Sequence, residues 1–258
     1  MSTRQVTNIY QQDISQFMNP GMDKRQSLRG FDDDYVDIVD YIIRCTHKIW
    51  EERAIGLIYT HYNHNAILHT DYGTTRGIEA VVTSTLQSQA AFPERRLFAD
   101  DVIWSGSGQD GFYSSHRLTT SGCNTGYSSY GPPTGRQVTW LGFADCAVRE
   151  NRIYEEWLVS DEIAALRQLG LDPKQVVADM VQNGLYDWMK SEPRGDIERL
   201  CGQLPPPIMS PKKSDGFDVE DFVRRSYYEI LNWRLLNKIE TYYAKNHIVH
   251  LPGQRELY

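Results

Sequence analysis

Between Leu97 and Val159 the chain passes through four extended stretches, about Leu97 to Ser105, Gly111 to Ser121, Arg136 to Val148 and Arg152 to Val159, all rich in Val, Tyr, Trp, Phe and Thr. Gly, Pro and Asn separate them, so the stretches read as antiparallel strands and the breaks as turns. Helical patterns come before them. Val36, Val39, Ile42, Ile43 and Trp50 keep the spacing of one helix face, and Asp32 to Asp34 suit the positive end of that helix. Ala54 to Tyr62 reads as a second helical piece leading into a strand from Ala66 to His69, and Gly77 to Ser88 as a helix ending near Phe92-Pro93. Helices followed by a run of strands predict an α+β layer fold.

The opening of this unit returns further along. With a constant shift of 181 residues, Asp37, Asp40, Arg44, Ile49, Arg53, Ile58, Thr60, Tyr62, Asn65, Ile67 and His69 fall on Asp218, Asp221, Arg225, Ile230, Arg234, Ile239, Thr241, Tyr243, Asn246, Ile248 and His250. Matching at one spacing predicts a repeated unit. The chain therefore divides into an N-terminal arm (1–32), a first domain (33–170), a helical linker (171–216) and the start of a second, incomplete copy (217–258). Pro173 suits a first helical turn, and LPPPIMSPKKSDG reads as exposed linker. The second copy reaches only its helices and first strand, so either the chain is a piece of a tandem protein or this segment packs onto the first domain.

Three histidines in THYNHNAILH, at positions 61, 64 and 69, invite a metal site. No carboxylate or cysteine stands in conventional register with them, and Tyr242 and Lys245 replace the first two in the second copy, so the expectation is no metal. Cys45, Cys123, Cys146 and Cys201 form no C-x-x-C pair and read as small buried residues. The SGSGQDG turn runs from strand to strand, with no helix N-terminus to hold a phosphate. A formal charge of −7 argues against a nucleic-acid partner. No run approaches the roughly 18 apolar residues of a membrane helix, and the first residues lack a secretory core, so no membrane and a cytoplasmic location are expected.

The motifs GPPTGRQVTW and ENRIYEEWLVSDEIAALRQLG resemble the SnoaL-like group, named for polyketide cyclases, of the nuclear transport factor 2 (NTF2-like) superfamily. The resemblance covers roughly residues 33 to 170. It implies a cone in which N-terminal helices wrap a curved antiparallel sheet. It also implies homodimers, paired through the outer face of the sheet. Its superfold hosts several chemistries as well as proteins with none, so function must come from the site. In an ungapped alignment on the RQLG ending, the cyclases' general-base aspartate falls on Leu158 and a pocket histidine on Ala144, so neither group is carried over.

Those two positions define a pocket-facing row, because side chains alternate across a strand. It holds Tyr154, Glu156 and Leu158 on the last strand and Trp140, Gly142, Ala144 and Cys146 on the one before. Glu156 is the row's one ionisable carboxylate and is expected to be the base, with Glu155 and Trp157 replacing it if the register slips by one. His69, beside Asp71 at the end of its strand, and His116, on the face of Phe112 and Leu118, are candidate acids or hydrogen-bond donors; each also reads as a structural histidine. Trp140, Tyr154 and Tyr62 are the expected apolar walls. The leading expectation is a cofactor-free enzyme doing proton-transfer chemistry on a small organic molecule, as a lyase, isomerase, dehydratase or cyclase-like catalyst. A non-catalytic ligand-binding module and a dimerisation scaffold are the alternatives.

Overall fold

The computed structural model describes residues 6–184, apart from 11 and 14, and residues 216–257, apart from 254. The chain falls into two compact units, the first built on residues 1–186 and the second on most of the rest.

The first unit is organised by a seven-stranded sheet. Its strands are β1 (Val6–Asn8), β2 (Tyr62–Thr70), β3 (Gly73–Arg76), β4 (Arg96–Ser107), β5 (Gly111–Cys123), β6 (Gln137–Arg149) and β7 (Arg152–Ser160), in the spatial order β1-β4-β5-β6-β7-β2-β3. All neighbours are antiparallel except β2 and β7, which run parallel. Helices α1 (Ser15–Met18), α2 (Ile38–Trp50), α3 (Ile58–His61), α4 (Ile78–Ala91), α5 (Glu162–Leu169) and α6 (Pro173–Gln182) complete the unit. The result is the α+β cone, with a curved, unclosed sheet wrapped by N-terminal helices.

Local chemistry sets the boundaries. Asp37 caps α2 by accepting from Asp40 N at 2.8 Å, and buried Asp40 in turn accepts from Val36 N at 2.8 Å. Asp161 caps α5, and Gly170 ends it in the left-handed conformation at φ 77°. Glu150 and Asn151, at φ 50° and 68°, form the two-residue turn between β6 and β7. The arm belongs to the body: β1 pairs along β4, and Ile9 and Phe31 are buried in the core.

Two apolar clusters fill the inner side of the sheet. The larger joins α2, α3 and α4 to Leu68, Val102, Trp104, Phe112, Val148 and Ile153. The smaller joins Phe92, Ala165 and Leu169 to Val138 and Trp140 at the other end of the strands. Between them the inner-facing positions are His116, Leu118, Gly142, Ala144 and Leu158.

The second unit contains α7 (Val219–Tyr227), α8 (Ile239–Tyr242) and a hairpin of β8 (Val249–Leu251) and β9 (Arg255–Leu257). Asp218 caps α7 through Asp221 N, as Asp37 does through Asp40 N, and Arg225 pairs with Asp221 as Arg44 does with Asp40. Arg234 repeats the left-handed backbone of Arg53, at φ 56° against 58°. Each correspondence keeps the shift of 181. The LPPPIMSPKKSDG stretch lies outside the described residues apart from its last glycine.

Candidate functional site

The side-chain faces follow from strand register. Glu156 pairs with Cys146 on β6 and with Leu68 on β2, and these positions face inward. Glu156 is buried at 6% exposure, and Tyr62 Oη donates to its Oε2 at 2.9 Å. Burial raises its pKa to about 7, although hydrogen bonds from Tyr62 and Cys146 pull the other way. The desolvation that favours the neutral carboxyl outweighs both donors. Around it, Tyr62 and Cys146 are held well above their usual pKa, first by burial and then by the carboxylate, so neither thiol nor phenol ionises beside it near neutrality. Tyr62, expected as an apolar wall, is thus also Glu156's donor.

His116 lies one inner row further on, paired with Ala144 and Val102. It is buried at 3%, and burial drops its pKa to about 4, so the imidazole is neutral at pH 7. Its Nε2 is enclosed and has no hydrogen-bond partner among the described residues. The same holds for Ser114 Oγ and Thr120 Oγ1 on the same face of β5. Three unpartnered polar atoms at positions 114, 116 and 120 line one strand over roughly 20 Å. Enclosed polar atoms normally find partners, which sets this row apart from the rest of the inner face.

Two expected members of the site lie elsewhere. His69 pairs with Trp157, one position beyond the inward Leu68–Glu156 pair, and alternation turns both outward. There the two rings stack, with centroids 5.4 Å apart, and His69 Nε2 meets Glu155 Oε1 at 2.9 Å. His69 therefore does not face Glu156 across one pocket, and Trp157, an inner residue only in the register slipped by one, lies with it on the outer face. Tyr154 is the second correction. Ala147 and Val148 pair with Glu155 and Ile153, leaving Tyr154 as the extra residue of a bulge, exposed beside Tyr113. Ile153 and Glu156 can both face inward, three apart, because of that bulge.

Trp140 faces inward in the smaller cluster, tilted against Phe92. Asp71 accepts from Ser160 N at 3.0 Å and so fastens the end of β7. His61 is a core residue, 1% exposed, hydrogen-bonded to Tyr35 Oη at 2.8 Å and stacked on Tyr41. Among the described residues no three His, Cys, Asp or Glu side chains gather as a metal cage would require.

The sequence reading did not single out Ser114, Thr120 and Arg95. The first two share the parity of Phe112, His116 and Leu118 in GFYSSHRLTT, which was signal enough to find them. An open groove of about 410 Å³, lined by residues 24–29 and Asp33, lies on the arm and contains none of these groups. No described helix is long and apolar enough to cross a membrane.

A profile of the family described as SnoaL-like polyketide cyclase matches residues 41–169. Among solved structures, a protein from Jannaschia sp. CCS1 assigned as a SnoaL-like polyketide cyclase aligns at 14% identity over 52% of this chain and 92% of its own, with a TM-score of 0.46. AclR from Streptomyces galilaeus, assigned as a hydroxylase, aligns at 17% identity over 53% and 89%, with a TM-score of 0.45. Wild-type IdmH from Streptomyces antibioticus, assigned as a polyketide cyclase, aligns at 23% identity over 52% and 98%, with a TM-score of 0.45. No curated protein matches the chain.

Proposed function

The chain belongs to the SnoaL-like polyketide cyclase family, and from that premise we propose that it is a cofactor-free enzyme moving a proton on a small organic molecule held against the inner face of its sheet, with Glu156 as the base. One observation carries this reading: a carboxyl buried with a phenol donor and a pKa raised to about 7. A base with a pKa near the working pH is ionised often enough to accept a proton and basic enough to pull one. Tyr62 orients the acceptor oxygen. His116, neutral and unpartnered at Nε2, is the group placed to meet an oxygen on which charge develops. Leu158 and Ala144 stand where the cyclases' own acid–base pair would fall, so the reaction belongs to the wider class of lyases, isomerases, dehydratases and cyclase-like catalysts.

A non-catalytic binding module is the second reading, favoured by the lack, among the described residues, of a second group beside Glu156 that titrates near neutrality: Tyr62, Cys146 and Cys45 are all raised by burial. Exposed Ile103, Tyr113, Phe143, Trp157 and Val159 on the outer face support a homodimer formed through that face. Free thiols at Cys45, Cys123 and Cys146 fit a reducing, cytoplasmic setting.

Metabolite extract incubated with the purified protein, followed by untargeted mass spectrometry, tests the proposal. Consumption of one small molecule by wild type and not by Glu156→Gln supports it. A retained molecule that neither protein converts points to the binding module.

A further inference from the structure

Arg95 enters the first unit just before β4, and its backbone lies over the inner side of the sheet: a Cβ built on Gly122 would come 3.4 Å from Arg95 Cα. Its guanidinium carbon sits 4.5 Å from the ring centre of Trp50 and 5.4 Å from that of Trp140. The indoles thus take up the faces of the guanidinium, and its hydrogen-bonding edge is what remains. One of the five N–H donors reaches Ser88 Oγ at 2.6 Å. The Nε–H is fully enclosed and has no acceptor among the described residues.

Arg95 is half-buried as a residue, but its Nε is enclosed, and a cation shielded in this way ordinarily carries a carboxylate partner. Among the described residues none lies within ion-pair distance of Arg95. Glu162 is the acid near enough to act on it, but its carboxyl is taken up by the Tyr72 and Tyr130 hydroxyls. Burial also raises the Glu162 pKa, which weakens it as a counter-charge. The Arg95 guanidinium is itself depressed to about 10, first by burial, and so remains charged at neutral pH. On β5, Thr120 pairs with Trp140, and its enclosed Oγ1 also has no partner among the described residues. The Arg95 Nε–H and the Thr120 hydroxyl, both enclosed and without a partner among the described residues, are thus linked through Trp140, whose ring carries the guanidinium and whose backbone pairs with Thr120.

We propose that Arg95 and Thr120 form an anion subsite between Trp50 and Trp140 that holds the carboxylate of a small organic ligand. A planar guanidinium edge matches a carboxylate better than a neutral carbonyl. The subsite rests on the proposed ligand-binding role of the inner face but not on Glu156 being a base. It narrows the substrate class to molecules that carry a carboxylate away from the atom losing its proton. The competing role for Arg95 is a structural clip between two tryptophans, which would need no anion.

Calorimetry with benzoate and its neutral twin benzamide separates these roles on the intact protein. Wild type should favour benzoate by about 10- to 100-fold, the range expected of a buried charge-assisted hydrogen bond. Glu156→Gln should keep that preference, so failure of the base and failure of the subsite are read from different variants. Arg95→Gln should erase the preference while leaving benzamide binding in place. Should that variant not fold, Arg95→Lys, which keeps the charge without the Nε–H edge, should lose most of it. Equal binding of the twins to wild type, no benzoate binding at millimolar concentration, or a preference surviving in the Arg95 variants would each overturn the proposal.

Discussion

Glu155 and Glu156 are neighbours in sequence and live on opposite faces of the same sheet. Glu156 points inward, nearly inaccessible, with a phenol donor and a pKa raised to about 7. Glu155 points outward with its side chain 33% exposed, in contact with His69. The chemistry of the side chain is identical, so the difference comes entirely from which face the strand presents. A sheet that is apolar on one side and wet on the other turns one residue into a candidate base and the next into an ordinary surface carboxylate. It also exposes the weak step in reading such a site from sequence, since a slip of one residue exchanges the two roles.

The widest separation between the faces should be in turnover. Glu156→Gln keeps size and a hydrogen-bonding oxygen but deletes the base, and removing a general base costs about 100- to 10,000-fold. Glu155→Gln should leave the rate near that of wild type. Rates measured on the substrate found by metabolite profiling decide it. A severe loss in Glu155→Gln with a normal Glu156→Gln would reverse the assignment of the faces.

The same inward carboxyl should reduce stability at alkaline pH. Its folded-state pKa, about 7, lies above the ordinary 4.5, so the folded protein holds a proton that the unfolded chain releases between those values. Stabilisation from the neutral carboxyl is fully present below about pH 4.5 and is lost as pH rises through 7. Glu156→Gln stays neutral throughout. At pH 8 the variant should therefore be more stable than wild type by about 1–3 kcal/mol, and the gap should shrink towards pH 5. His116 acts in the opposite sense, its stabilisation being lost as pH falls below 6.5 towards 4, but it is present in both proteins and cancels. Cys45, Cys146 and Tyr62, the other ionisable groups around Glu156, are all raised and do not titrate in this window. Urea titrations at pH 5 and pH 8 measure the gap. A variant that gains nothing at pH 8 would show that Glu156 is not desolvated. Lower activity together with higher stability is the expected cost of a functional group kept in an unfavourable place.

The outer face should respond through assembly. Phe143 is 41% exposed and lies opposite Val159 on β7. Placing a charge there, as Phe143→Glu, should weaken the proposed dimer by about 1.5–3 kcal/mol, the burial value of one such side chain, and leave the fold intact. Light scattering should then find monomer at concentrations where wild type is a dimer. A wild-type monomer at micromolar concentration would remove this use of the face.

The fold was legible because its signals are local. The four long strands begin and end within two residues of where alternation and turn residues put them, and the cap Asp37 with Arg44 four residues beyond Asp40 recurs as Asp218, Asp221 and Arg225 with the same geometry. What could not be read depends on contacts far along the chain. Val6 to Asn8 carries no strand pattern of its own and becomes one by pairing with β4. The bulge at Tyr154 leaves no mark on composition, yet it moves that ring to the outer face. His69 was correctly placed near the end of its strand, but its face is set by parallel pairing with β7, some 86 residues away. Arg95 stands beside Arg96 in PERRLF, and nothing in the sequence says which of the two enters the cone.

The smallest expected effect concerns the His69–Glu155 pair, and it tests whether the outer face is as inert as its exposure suggests. The two side chains meet at 2.9 Å, each about one-third exposed, with Trp157 stacked on the imidazole. Water competes for both partners, and fixing two side chains costs entropy, so exposed ion pairs usually couple by no more than about 1 kcal/mol. A double-mutant cycle with His69→Gln and Glu155→Gln, read by urea denaturation at pH 6 and in high salt, should give a coupling below that value and weaker still in salt. Turnover should be unchanged in all three variants, because the imidazole lies across the sheet from Glu156. A coupling well above 1 kcal/mol, or a rate that falls when His69 alone is changed, would mean that the outer face supports the inner one and that the two cannot be treated separately.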